Sequence, residues 1–91
     1  MTTSEIITVA GCDYNTRIIN RFMDVVNGLN KKVRVTNLSL DPDRCVPSTS
    51  SIGIHSLCIK EGNSLLLVFN DILSDKERND IKKMITDIEA R

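Results

Sequence analysis

Residues 5–29, EIITVAGCDYNTRIINRFMDVVNGL, decide how the chain is read. The segment opens on β-branched side chains, breaks at Gly11, and continues with apolar residues at helical spacing. Glu5 to Ala10 does not alternate strictly, which predicts a central strand covered on both faces. Ile18, Ile19, Phe22, Val25, Val26 and Leu29 recur at steps of three and four and form one apolar stripe. Asn15 or Thr16 can cap this helix, and Gly28 with Asn30 can stop it.

Outward from this unit, KKVRVTNLSL (31–40) reads as a second strand, with Val33 and Val35 in alternation. Strand, helix and strand in this order predict a right-handed parallel crossover. DPDRCVPSTSS (41–51) holds both prolines and reads as loop with at most one helical turn. IGIHSLCIK (52–60) and SLLLVFNDI (64–72) flank Glu61-Gly62-Asn63, which predicts an antiparallel hairpin. Ser74 and Glu77 match a capping box, and Ile81, Met84, Ile85 and Ile88 then form the stripe of a last helix. Its other side (Lys76, Arg78, Asn79, Lys82, Lys83, Asp87) reads as a solvated face. The expected core is Ile7, Val9, Ile19, Phe22, Val26, Val35, Leu57, Leu66, Val68, Ile81 and Ile85.

Ninety-one residues, 41% hydrophobic and 26% charged, describe one small globular domain over 1–91. Twelve basic and twelve acidic residues cancel, so no overall field draws in nucleic acid or an anionic membrane. Tyr14, Phe22 and Phe69 are too few aromatics for a base-stacking platform. The start of the chain shows no basic leader and no apolar run is long enough to span a bilayer, so a cytoplasmic location is expected. Three cysteines without CxxC spacing suit reduced thiols inside a cell.

The order βαβ, loop, ββα is that of a single thioredoxin-like α/β domain with a shortened or irregular second helix. Within it the chain resembles the KaiB family. The resemblance rests on Val9-Ala10-Gly11 with Asn15 following, on Asp41-Pro42 after the second strand, and on Leu73-Ser74-Asp75-Lys76-Glu77 at the last helix start. The chain departs from the family at Ile54-His55-Ser56-Leu57, where a T-P-T-L stretch is usual, and at the Glu61-Gly62-Asn63 turn. The resemblance implies a signalling or regulatory module, non-catalytic and without cofactor, that docks on a protein partner.

Cys12 stands where a strand gives way to a helix, and a helix N-terminus stabilises a thiolate. The alternative function is thus a monothiol redox protein using Cys12. The resolving position three residues on is Asn15, and Asp13 opposes a thiolate by like charge. Cys12 also reads simply as a small half-buried hydrophobe. With Thr16 and Arg17 it loosely resembles the phosphocysteine loops of sugar phosphotransferase B subunits, but Asp13 and Tyr14 are not the small residues such loops use. Cys45, Cys58 and His55 do not have zinc-site spacing, and no metal is expected. Partner-binding residues are sought at Asp13, Tyr14, Asn15, Arg17 and Arg44, on two loops expected at one end of the sheet. Tyr14 is read either as a contact anchor or as a ring closing the core.

Overall fold

The computed structural model of the protein describes residues 3–90. The expectation about a leader bears in part on Met1 and Thr2, which lie outside these. Its elements are β1 (Ser4–Val9), α1 (Thr16–Asn27), β2 (Val33–Asn37), β3 (Cys45–Pro47), α2 (Ser51–Ser56), β4 (Ser64–Phe69) and α3 (Asp75–Glu89). The strands form one sheet in the order β1-β4-β2-β3, and every neighbouring pair is antiparallel.

This order corrects the thioredoxin-like arrangement. A parallel β1–β2 neighbour pair was the expected crossover, but β4 lies between them and pairs with both: Ile7 and Val35 flank β4 opposite Leu66 and Leu67. β1 and β2 still point the same way, because each is antiparallel to β4. The predicted terminal hairpin is absent as well. Residues 51–56 are helical: the Ser50 hydroxyl accepts from Gly53 N at 3.0 Å, and the Ile54 N–H bonds back to Ser50 O. Ile54 and Leu57, three apart, thereby reach the core together. Cys58, at φ 50°, ends the helix in the left-handed region. The fourth strand lies instead within the predicted loop. It is the three-residue β3, at a sheet edge, where the missing N–H of Pro47 costs no ladder bond. Glu61-Gly62-Asn63 does form a turn, with Gly62 at φ 89°, but it folds against the end of β1. There Gly62 N bonds Ala10 O at 2.8 Å and Ala10 N bonds Asn63 O at 2.9 Å.

The two long helices start as their caps predict. Asn15 Oδ1 accepts from Ile18 N at 3.0 Å, and Ser74 and Glu77 form a reciprocal capping box. Ile18, Ile19, Phe22 and Val26 of α1 and Ile81, Ile85 and Ile88 of α3 pack on Ile6, Val33, Val35, Leu65, Leu67 and Phe69 of the sheet.

One sheet face receives this layer and the other is open, and β1 lies at a sheet edge, which corrects the expectation that β1 is a central strand covered on both faces. Seven of the expected core residues are buried: Ile19, Phe22, Val26, Val35, Leu57, Ile81 and Ile85. Ile7 and Val9 are 56% and 59% exposed, and Leu66 and Val68 are half-buried on the same open face. Their places in the core are taken by Ile6, Leu65 and Leu67, one residue along each strand, as the two-residue period requires. Among the described residues no helix is long and apolar enough to cross a membrane.

Candidate functional site at the start of the first helix

The strand directions bring the end of β1, the end of β2, and the starts of β3 and β4 to one end of the sheet. The Asp13–Arg17 turn and Arg44 therefore share that end, whereas Ser48 and Thr49, beyond β3, lie at the other. Backbone bonds anchor the turn: Tyr14 N donates to Ile59 O at 3.0 Å. The Asp13 carboxylate accepts from Glu61 N at 2.8 Å, clamping this turn to the one before β4. Asn15 is occupied as the α1 cap.

Tyr14 is 8% exposed. Its ring meets Phe22 edge-on at 6.0 Å, and its hydroxyl donates to Glu89 Oε2 at 2.5 Å. The ring therefore closes the core, and its polar tip is bound to α3. Burial first, then the hydrogen bond and charge of Glu89, push the phenol far above its ordinary value. Arg17 is exposed. Arg44 reaches from its loop to Ser56 Oγ at 2.6 Å, so its guanidinium stands beside the end of α2.

Cys12 is partly buried. Desolvation raises its thiol, and the carboxylates of Glu89, Asp13 and Glu61 raise it further. These effects oppose a thiolate, whereas redox chemistry at a helix start needs one. Cys45 and Cys58 are exposed, and among the described residues no three potential metal ligands cluster.

The side-chain pairing of Asn37 with Asn63, a residue read from the sequence only as part of a turn, did not emerge from the sequence. Asn37 is 1% exposed, and its amide nitrogen donates to Leu57 O at 3.0 Å and to Asn63 Oδ1 at 3.1 Å, while its oxygen accepts from Ser39 N. Asn63 Oδ1 also accepts from Lys60 N at 2.8 Å. Together they hold the β2–β3 and α2–β4 connections in register behind the helix-start turn. The available signal was Asn37 itself, a residue type disfavoured in strands, at the close of Val33–Asn37.

The result is an end of the molecule with a fixed backbone, a thiol held neutral and two guanidinium groups at its rim. No protein-family profile matches the sequence, and no curated protein does. Its fold is that of a small α/β protein with a four-stranded antiparallel sheet and three helices. The crystal structure of HPr-C-His from Thermoanaerobacter tengcongensis shares it, with a TM-score of 0.62 over 99% of this chain and 92% of that one, at 20% identity. At that identity the likeness is one of fold. It overturns both the KaiB-like resemblance and the thioredoxin-like redox alternative, in agreement with the strand order and with the raised Cys12 thiol.

Proposed function

We propose that the chain is a protein-docking domain on the fold of HPr, engaging its partner through the end of the sheet that carries Asp13, Asn15, Arg17 and Arg44. The observation that carries this reading is the pairing of a rigid turn with two surface guanidiniums. Asp13, Tyr14 and Asn15 are fastened by Glu61, Glu89 and the α1 backbone, while Arg17 and Arg44 remain at the rim. A pre-organised surface loses little conformational freedom on binding, and arginine is a frequent anchor of protein contacts. Tyr14 contributes by holding the turn.

HPr is a phosphocarrier, and phosphoryl carriage requires a nucleophile. At this turn Asn15 is a carboxamide used as the cap, the Cys12 thiol is pushed towards its neutral form, the Asp13 carboxylate is held by Glu61 N, and the Thr16 hydroxyl is exposed. The single histidine, His55, is exposed in the last turn of α2, whose negative end disfavours a phosphate group. With no histidine at the helix start, we read the fold here as one used for recognition.

The test is affinity capture on the immobilised chain, quantified against Arg17→Glu/Arg44→Glu and against Lys82→Glu on α3. A discrete partner lost only with the first variant supports the reading. Capture insensitive to both variants, or stoichiometric phosphorylation of His55 by phosphoramidate, would overturn it.

A further inference from the structure

We infer that the groove at the opposite end of the sheet binds a small phosphate-bearing, hydroxylated molecule that has no aromatic base. The groove has a volume of about 710 Å³, within the range of small-molecule sites. Lys31, Lys32 and Arg34 line it, and no carboxylate does among the described residues, although acids and bases balance over the whole chain.

Lys31 is committed to Asp71 at 2.6 Å. Lys32 and Arg34 are two residues apart in an extended segment and so share a face, and neither has a carboxylate at ion-pair distance among the described residues. Arg34 reaches Cys45 Sγ at 4.0 Å through Nη1, which leaves its remaining N–H groups for a ligand. An ammonium and a guanidinium on one face make a receptor for a phosphate.

The rest of the lining sets the body of the ligand. Val68 and Pro47 lie opposite Arg34 on the two neighbouring strands and form an apolar floor, where a charge pair is screened less than in open water. Thr3, Thr49 and Asn70 supply hydroxyl and amide groups that both donate to and accept from ligand hydroxyls. Among the described residues no aromatic side chain lines the groove, so they offer no platform for stacking a nucleobase. A polyanionic strand would need a longer track of cations than Lys32 and Arg34 provide. The site is separate from the docking end, so either can fail without the other.

The experiment is titration of the isotope-labelled full chain, followed by amide shifts, with glucose 6-phosphate, glucose, inorganic phosphate, AMP and an acetylated Glu-Glu dipeptide amide. Glucose 6-phosphate should bind tightest of the five and shift Lys32, Arg34, Thr49 and Asn70. Lys32→Ala and Arg34→Ala should each weaken it by about tenfold or more, the loss expected for one charge-assisted contact, while Lys82→Ala should not. Arg34→Lys, which keeps the charge, should recover part of the loss. The same spectra report whether each variant is folded. Absence of shifts, equal binding of glucose or inorganic phosphate, or tighter binding of AMP or the acidic peptide would each overturn the inference.

Discussion

The Tyr14 hydroxyl donates to Glu89 Oε2 at 2.5 Å, fastening the turn before α1 to the last turn of α3. Tyr14→Phe keeps the ring against Phe22 and removes only this bond. A stability loss of about 1 to 2 kcal/mol is expected, the worth of a hydrogen bond to a charged group at a partly buried site. Urea denaturation measures it. A double-mutant cycle with Glu89→Ala should return most of the loss as coupling, and additive losses would mean that the two side chains act separately.

The same contact makes the fold sensitive to alkali. The Tyr14 phenol and the Cys12 thiol are both raised in the folded state, so above their unfolded values the native chain holds protons that the unfolded chain has released. Their contribution is complete below about pH 8.5, the ordinary thiol value, and is lost as pH rises through the unfolded thiol and phenol range towards the folded values. Melting temperature against pH should therefore fall on the alkaline side, and Tyr14→Phe should flatten the fall. In the native protein, Cys12 alkylation should have its midpoint above about 8.5; a midpoint near 6 would contradict the burial and carboxylates described around it.

Phe22 is fully enclosed between α1, Tyr14 and the sheet. Phe22→Ala should cost about 3 to 5 kcal/mol, from lost burial plus the cavity left behind. A loss below about 1 kcal/mol in denaturant unfolding would be incompatible with this packing.

Asn37→Ala should cost about 2 to 3 kcal/mol, because it strands Leu57 O in the interior and releases Asn63 and Ser39 together. Hydrogen exchange should then accelerate at Ser39, Lys60 and Asn63, and unchanged exchange there would show that the loops stand without it.

How far the sequence could be read differs from residue to residue for physical reasons. The helices α1 and α3 were legible because each combines a cap with a single stripe, at Asn15 and Ser74. Strand parity was not, since Ile6 and Ile7, like Leu66 and Leu67, are apolar on both faces, and an apolar open face removes the alternation that would tell them apart. α2 was hidden because six residues with two isoleucines show a strand-like composition and less than two helical turns of period. The strand order depends on which edge β4 takes, a long-range choice with no local mark. At the site, Tyr14's inward turn rests on its packing against Phe22, and the partner of its hydroxyl, Glu89, lies far along the chain.

Cys58 gives the last test. It sits at φ 50° just after α2, a conformation that costs an L side chain about 1 kcal/mol and costs glycine nothing sterically. Cys58→Gly should leave stability unchanged or raise it by up to about 1 kcal/mol, measured by denaturation. A loss of about 2 kcal/mol would mean that the thiol makes contacts beyond those of an exposed group.

The central position of β4 also governs when the protein can fold. Ser4 waits for Phe69, and Val33 waits for the same residue from the other side. While the chain is being made, only the β2–β3 pairing has both its strands early, and the apolar stripe of α1 has no completed sheet to cover it until Phe69 is out. Assembly therefore comes late, with a slow rate set by distant pairing and an interval in which Ile18, Ile19 and Phe22 are open to chaperones.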